Sequence, residues 1–337
     1  MNRPDNQAAG GSAGADLSVR IEDVLCARER LAGHAASTPV LSSPEANQRA
    51  GAQLYFKCES LQRTGSFKFR GAYNAISKAI AHRAPPGIAA FSSGNHAQAI
   101  AYAARLLGRQ AAIVMPHDAP ASKRRATEAY GAEVIGYDRY REDREAITQA
   151  LSRERGFELL PPFDHPDIIA GQGTVGLELC EAVPDLDVLV TPLGGGGLLS
   201  GCALAARALI PHSRVYGVEP EAGNDVQQSL QVGYPVRIET PKTIADDAQT
   251  VCVGNYTFPI IQRLVTGVVT VSDAQLVDTM RFLLESMKLV VEPTGCLAAA
   301  AVLHGLVPAR NQKIGIVLSG GNVSEARLHG LLSGSGS

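Results

Sequence analysis

The sequence predicts an α/β fold made of two wound domains with mainly parallel sheets, and three observations support this prediction. Short apolar runs alternate with helix-length amphipathic stretches, as expected of a wound sheet with helices on both sides. Several runs, such as DVLVTPL at 187–193 and KIGIVLS at 313–319, are continuously apolar, which is typical of parallel strands buried on both faces. The 337 residues exceed the usual size of one domain and suit two.

The alternation of these segments predicts the elements and the domain boundaries. Strands are expected at 52–58, 87–91, 111–115, 133–135, 188–191, 215–218 and 313–318. Helices are expected at 96–107, 123–130, 140–155, 198–209, 273–287 and 296–304. Two prolines near 162 stop a helix and stiffen a hinge, so 87–163 is predicted to form a small domain within a large one at 17–86 and 164–330. Residues 1–16 and 331–337 are expected to be flexible tails.

The composition indicates a packed globular protein with a small-molecule partner. Hydrophobic residues make up 45% of the chain and charged residues 19%, which argues against disorder. The formal net charge of −2 gives no electrostatic reason to expect a nucleic-acid or membrane partner. No apolar run is long enough to span a bilayer and no signal-peptide core is visible, so a cytoplasmic location is expected. The scattered cysteines and histidines form no zinc-binding spacing.

Four consecutive glycines follow an apolar strand and precede an apolar helix: Gly194, Gly195, Gly196 and Gly197. Glycines let the backbone approach an anion closely, and a helix N-terminus offers free N–H groups and the positive end of its dipole. The expected ligand is a phosphate, and the alternative is a flexible strand–helix turn. The run matches neither the lysine-ended phosphate loop nor G-x-G-x-x-G.

Lys68 lies between two aromatic residues in the run SFKFRG at 66–71. If this run is a strand, Phe67 and Phe69 point inward while Lys68 and Arg70 point into water. Alternatively, the aromatic rings desolvate the Lys68 amine, which lowers its pKa and frees its lone pair for a Schiff base with an aldehyde. The residues alone leave both interpretations open.

Three further strand ends carry polar residues. The run SSGNH at 92–96 suits binding of a carboxylate, and alternatively serves as an ordinary N-cap. Ser319 ends a strand where open α/β sheets bind their ligands, unless it belongs to a tight turn. Glu219 and Asp225 follow another strand and either bind a hard cation or are solvated turn acids.

Together these segments resemble the pyridoxal-phosphate (PLP) enzymes of the serine/threonine dehydratase and serine racemase family, which have the type II PLP-enzyme fold. The resemblance covers residues 18–325. The motifs that carry it are RTGSFKFRGAYNA (63–75), SSGNHAQA (92–99), IAGQGT (169–174), PLGGGGLLSG (192–201), VEP (218–220) with Asp225, TIAD (243–246), MKLVVEPTG (287–295) and LSGGNV (318–323). Their order along the chain makes the resemblance specific.

The resemblance implies a role for each singled-out residue. Lys68 would form the Schiff base with PLP and act as the base on one face of the cofactor, and Ser93 would be the acid/base on the opposite face. The cofactor-binding residues would be Phe67, Lys68, Asn95 at the ring oxygen, Gly194, Gly195, Gly196 and Gly197 at the phosphate, and Ser319 at the pyridine nitrogen. The substrate-binding residues would be Ser92, Ser93, His96 and Arg144. Glu219, the carbonyl of Gly223, and Asp225 would form a Mg²⁺ or Ca²⁺ site.

The implied activity is that of a carbon–oxygen lyase, an ammonia-releasing dehydratase acting on a 3-hydroxy amino acid. The candidate substrates are threo-3-hydroxyaspartate, serine, threonine and phenylserine, and the family favours a homodimer. One alternative is an amino-acid racemase, and another is a PLP-binding protein with little catalysis. Asp247 departs from the family pattern, since the chain reads TIADD where the family reads TIADG. This carboxylate would lie close to the cofactor and puts the substrate in question more than the cofactor.

Overall fold

The computed structural model describes residues 17–119, 121–308 and 310–334, which fold into two sheets flanked by helices. The strands are β1 (Val40–Leu41), β2 (Gln53–Cys58), β3 (Gly87–Phe91), β4 (Gln110–Pro116), β5 (Glu133–Tyr137), β6 (Glu158–Leu159), β7 (Val188–Pro192), β8 (Arg214–Pro220), β9 (Gly267–Val271) and β10 (Lys313–Leu318). The α-helices are α1 (Ile21–Leu31), α2 (Pro44–Ala50), α3 (Lys68–Arg83), α4 (Asn95–Leu106), α5 (Ala121–Ala129), α6 (Arg144–Arg155), α7 (Pro166–Ala182), α8 (Gly197–Leu209), α9 (Asp225–Val232), α10 (Thr257–Leu264), α11 (Asp273–Met287), α12 (Pro293–Leu303) and α13 (Glu325–Ser333).

The larger sheet has the strand order β1-β2-β10-β7-β8-β9, and the smaller sheet has the order β5-β4-β3-β6. Every pair is parallel except β1 with β2. All residues of β3 and β7 are buried, as the apolar runs predicted. The α/β class with mainly parallel sheets is therefore confirmed.

The smaller sheet lies within 87–163, and the larger sheet takes its strands from the ranges on either side. Helix α3 precedes residue 87 in sequence, yet its Phe69 and Ile76 share an apolar cluster with Ile88 and Ile113 of the smaller sheet. The division into two domains with these boundaries therefore remains a prediction. Helix α13 continues to Ser333, with Leu331 buried, past the point at which the C-terminal tail was expected to begin. Residues 1–16 and 335–337 lie outside the described residues.

The run SFKFRG does not form a strand, so that interpretation of Lys68 and Arg70 was wrong. Helix α3 begins at Lys68, and Arg70 is 1% exposed rather than solvated. Its guanidinium donates to both carboxylate oxygens of Glu59 at 2.8 Å and to Glu178 at 2.6 Å. A buried arginine needs such partners, because an uncompensated charge in the interior is strongly unfavourable. These contacts of the arginine hold the first turn of α3 in place.

Candidate active site

One pocket opens at the carboxyl ends of β3, β7 and β10, and it takes residues from both sheets. Ligands of open α/β sheets bind at this edge. The pocket brings together most of the predicted site residues, namely Phe67, Lys68, Ser92, Ser93, Asn95, His96, Arg144, Gly194, Gly195, Gly196, Gly197 and Ser319. Glu219, Gly223 and Asp225 are not among the residues that line it.

Lys68 is the first residue of α3, and its side chain reaches into this pocket. Two residues before it, Ser66 forms an antiparallel bridge with Gly320. The Lys68 Nζ donates a hydrogen bond to the carbonyl oxygen of Pro162 at 2.7 Å. Burial lowers the pKa of this amine to about 8, against a smaller opposing effect of the Asp247 carboxylate. Part of the amine is therefore unprotonated near neutral pH, and this form can attack a carbonyl carbon.

The glycine run forms a tight backbone turn between β7 and α8. Gly196 has φ +93°, a conformation that favours glycine. A Cβ on Gly195 would lie 2.3 Å from the ring of Phe163, and a Cβ on Gly197 would lie 2.6 Å from Gln172 Oε1. The first amides of α8 have no partner within the helix and point toward the pocket end. Such a turn can hold a phosphate with backbone N–H groups alone.

Asn95 is the centre of a buried polar cluster at the N-terminus of α4. Its Nδ2 donates to Asp247 Oδ2 at 2.8 Å and to Glu292 Oε1 at 2.7 Å. Its Oδ1 accepts a hydrogen bond from Asn322 Nδ2 at 2.6 Å, and that Nδ2 also donates to the carbonyl of Thr64 at 2.7 Å. The Asn95 amide is therefore fixed in one orientation at the pocket wall.

Ser92 and Ser93 follow β3 directly and lie at the pocket surface. The Ser92 Oγ accepts a hydrogen bond from the Gly94 amide at 3.1 Å. His96 is 2% exposed, and its Nε2 lies 3.0 Å from the carbonyl oxygen of Leu160. Burial first, and then the charge of Lys68, lower the pKa of His96 to about 3, so the imidazole is neutral and Nε2–H donates to that carbonyl. Its Nδ1 is then an unpartnered, buried acceptor.

Arg144 is the first residue of α6, and its guanidinium lies 5.1 Å from the centre of the Phe91 ring. The stacking holds the cation at the pocket while leaving its N–H groups free to bind. Within the described residues, no carboxylate forms an ion pair with Arg144, whereas Arg155 at the other end of the helix pairs with Glu133. The arrangement can therefore bind an anionic group of a ligand.

The pocket as a whole fits an aldehyde that carries a phosphate. A desolvated amine and a glycine turn with a helix N-terminus line the same pocket, and among the described residues Glu292 Oε2 is a buried oxygen that lacks a hydrogen-bond partner. Ser319, 3% exposed at the end of β10, adds a neutral hydroxyl rather than a charge. These groups match the donor and acceptor needs of a phosphorylated pyridine aldehyde.

The predicted metal residues lie outside the pocket, between the end of β8 and the start of α9. Glu219 is near the end of β8 and accepts hydrogen bonds from the amides of Val226 and Gln227 at 3.0 and 2.9 Å. Asp225 begins α9, is fully buried, and both of its carboxylate oxygens lack partners. Burial and the neighbouring Asp225 raise the pKa of Glu219. Among the described residues no three His, Cys, Asp or Glu side chains form a metal-binding group, so a cation here would depend on two carboxylates and the Gly223 carbonyl.

Several residues at this site were not predicted. The Pro162 carbonyl, the Phe163 ring and Thr294, whose Oγ1 accepts from the Asp247 amide at 3.2 Å, all contribute to the pocket. Glu292 could have been found, because a glutamate directly before the proline that begins α12 lies at a helix N-terminus, as do the other site residues. The sequence did not indicate a role for Lys123 of α5, because Asp246, with which it pairs at 2.5 Å, is distant along the chain.

Sequence comparison gives a consistent picture. The family described as pyridoxal-phosphate dependent enzyme matches residues 31–320. The L-threo-3-hydroxyaspartate ammonia-lyase of Pseudomonas sp is 56% identical over 93% of this chain and 98% of its own length. The serine racemase of Schizosaccharomyces pombe is 53% identical over 93% of this chain and 97% of its own length.

A solved structure extends the similarity to the fold. The structure of maize serine racemase superimposes with a TM-score of 0.89 at 39% identity, and the match covers 94% of this chain and 98% of that one. The type II PLP-enzyme fold expected from the sequence is therefore confirmed. Among the described residues, no helix has the length and apolar character to span a membrane.

Proposed function

Since the chain belongs to the family of pyridoxal-phosphate dependent enzymes, we propose that it is an ammonia-lyase that converts L-threo-3-hydroxyaspartate to a 2-oxo acid and ammonia. The observation that carries the proposal is that the Lys68 amine, with its pKa lowered to about 8, lines the same pocket as the glycine turn. That pairing of a nucleophilic amine with a phosphate cradle suits covalent attachment of PLP.

The residues of the pocket would each bind one part of the cofactor. Gly194–Gly197 would bind the phosphate through backbone N–H groups. Asn95 Nδ2, whose two hydrogens go to Asp247 and Glu292 here, would donate to the ring oxygen in place of Glu292. Ser319 would accept or donate a hydrogen bond at the pyridine nitrogen without adding a negative charge there. When bound, PLP supplies an electron sink for the Cα–H bond of an amino acid.

The proton movements fall to side chains of this chain. Lys68 Nζ would accept the Cα proton of the bound amino acid, because an amine with a lowered pKa is a competent base near neutral pH. The Cα proton and the β-hydroxyl leave together as water, and the resulting enamine tautomerises to an imine that water hydrolyses in solution. The water released in the first step is consumed in the second, so the net products are oxaloacetate and ammonia.

The second carboxylate of the substrate is the reason to prefer 3-hydroxyaspartate over serine or threonine. Arg144 presents its guanidinium at the pocket, held against Phe91, and no carboxylate of the described residues pairs with it. A bidentate arginine–carboxylate contact would favour a dicarboxylic substrate. The similarity to the Pseudomonas ammonia-lyase supports the same choice.

The test is an assay of ammonia and 2-oxo acid across threo-3-hydroxyaspartate, serine, threonine and phenylserine. We expect the highest kcat/KM with the L-threo dicarboxylate and no turnover by Lys68→Ala, in which borohydride also traps no cofactor. Equal kcat/KM with serine would contradict the substrate assignment. Full turnover by Lys68→Ala would contradict the mechanism.

Racemisation is the second candidate, favoured by Ser93, which lies in the same pocket as Lys68. Two acid/base groups on opposite faces of Cα would return the proton to the other side. The similarity to the fission-yeast serine racemase supports this alternative. Chiral chromatography of recovered substrate distinguishes the two, because a racemase forms the mirror isomer faster than it forms oxo acid.

A Mg²⁺ or Ca²⁺ ion is a further part of the proposal. Asp225, buried without partners and beside Glu219, would be stabilised by a divalent cation bound with the Gly223 carbonyl. We expect millimolar Mg²⁺ to raise the unfolding temperature of the protein but not that of Asp225→Asn. An equal rise in both would place the cation elsewhere.

We also infer a homodimer in the cytoplasm, following the family resemblance and the composition. Sedimentation equilibrium at several protein concentrations measures the first, and fractionation of the source cells measures the second. A monomer at micromolar concentration would contradict the dimer.

A further inference from the structure

Asp247 occupies the pocket wall at the position where the sequence departs from the family pattern. Its Oδ2 accepts a hydrogen bond from Asn95 Nδ2 at 2.8 Å, and its amide donates to Thr294 Oγ1 at 3.2 Å. Its Oδ1 packs so tightly on Gly94 that a Cβ added there would lie 2.0 Å from this oxygen. Asn95 and Gly94 therefore hold the carboxylate, and Thr294 holds the backbone of the same residue.

The two carboxyl groups that share the Asn95 amide differ in their surroundings. Burial and the charge of Asp247 raise the pKa of Glu292 well above its usual value, and its Oε2 has no partner. Burial and Asp246 raise the pKa of Asp247 too, but Lys123 and Lys68 lower it. We assign the proton of the pair to Glu292 and the negative charge to Asp247, because only Asp247 faces two cations.

We propose that Asp247 is a positioning residue of the active site, which fixes the Asn95 amide through a hydrogen bond and holds a negative charge within electrostatic reach of the Lys68 amine. The inference rests on the proposed function, because it concerns the lysine that carries the cofactor. A glycine here, as in the family pattern, would provide neither the hydrogen bond nor the charge.

The charge has a consequence of definite sign for Lys68. A nearby carboxylate favours the protonated amine, and Asp247 raises the pKa of Lys68 against the larger lowering effect of burial. Two further titratable groups complete the surroundings: His96 stays neutral, and Asp246 is paired with Lys123 at 2.5 Å. Removing the Asp247 charge therefore makes the Lys68 amine lose its proton at a lower pH.

The experiment measures how fast the apo-protein captures PLP as a function of pH, because only the unprotonated amine attacks the aldehyde. We expect the midpoint for the unaltered chain near pH 8. In Asp247→Asn, which keeps the size of the side chain, the midpoint should fall by about one pH unit. Asp247→Gly should show the same fall and a weaker equilibrium affinity for PLP.

Asp246→Asn is the matched control, because it removes an equal charge one residue away, on a side chain that is 45% exposed and pairs with Lys123. Its midpoint should stay within about a third of a unit of the unaltered chain, since salt screens exposed charges. An unchanged midpoint in Asp247→Asn, with PLP still captured on Lys68, would overturn the inference and leave the proposed function standing. If the unaltered chain captures no PLP on Lys68, the proposed function fails, and this inference fails with it.

Discussion

The backbone amide of Phe67 donates a hydrogen bond to the carbonyl oxygen of Ser319 at 3.1 Å. This bond joins the residue before Lys68 to the residue after β10, the strand between β2 and β7 in the larger sheet. Helix α3, which Lys68 begins, packs its apolar residues on the smaller sheet. The backbone of Lys68 is therefore held from both sheets, which places its amine with little freedom.

The glycine turn gives a prediction with a built-in control. Gly196→Ala should weaken PLP binding, because Gly196 has φ +93° and an added Cβ would lie 2.7 Å from Ile261 Cδ1. Gly233 has a similar φ of +85° but open space around it, and it ends α9 away from the pocket. Both alanine variants should lose about 1–3 kcal/mol of stability through backbone strain. Equilibrium dialysis should show loss of affinity for PLP only in Gly196→Ala, and equal losses would contradict a phosphate cradle.

The variant Arg144→Ala tests whether Arg144, the first residue of α6, binds the second carboxylate of the substrate. Arg144→Ala should raise KM for threo-3-hydroxyaspartate about tenfold or more, since a charge-assisted contact contributes about 1.5–3 kcal/mol. KM for serine, which lacks the second carboxylate, should change much less. Arg155→Ala is the control, because Arg155 stacks on Phe157 in the same way but outside the pocket. A parallel rise for both substrates would show that Arg144 does not discriminate between them.

The buried ion pair below α3 should dominate the stability of this region. Arg70→Met leaves Glu59 charged and unpaired in the interior, so the free energy of unfolding should fall by about 3–5 kcal/mol. Arg28 and Glu181 form a pair of the same type whose side chains are each 47% exposed, and Arg28→Met should cost less than about 1 kcal/mol. Urea titration of the two variants measures both values. Equal losses in the two variants would mean that burial does not determine how much free energy of unfolding is lost when an ion pair is broken.

The neutral state of His96 predicts how stability depends on pH. Its pKa falls from 6.5 to about 3 on folding, so the unfolded chain binds more protons between these values. The contribution of this imidazole to the free energy of unfolding is fully present above pH 6.5 and is lost as the pH falls toward 3. His96→Gln should reduce the fall in unfolding temperature between pH 7 and 4, whereas His82→Gln, at an exposed position of α3, should not. If His96→Gln leaves the dependence of the unfolding temperature on pH unchanged, the result contradicts a neutral, buried imidazole.

The strand cores were predictable because their apolar runs are long and buried on both faces, as in β7 and β10. Three strands were not predicted. β1 and β6 have two residues each, and β9 is a half-buried edge strand whose pattern is weak. Helix α3 was missed because its buried arginine looks solvated in sequence, whereas contacts with distant residues, above all Glu59 and Glu178, explain its position.

The pocket was predicted through strand ends and glycines, which act locally. The cluster around Asn95 was not, because Glu292 and Asn322 are about two hundred residues away from it along the chain. Proximity of this kind follows from the strand order, which the sequence pattern does not specify. In the sequence, Asp247 was noticeable only as a departure from the family pattern. Its contacts with Gly94 and Asn95 follow from the fold and could not be predicted.

The parallel arrangement of both sheets also has a practical consequence for protein engineering. All strands that supply pocket residues do so at their carboxyl ends, so the turns that enter β3 and β7, at 84–86 and 183–187, face the opposite rim. A fluorescent reporter or affinity tag spliced into either turn should leave catalysis intact, while the same insertion after Phe91 or Pro192 should abolish it.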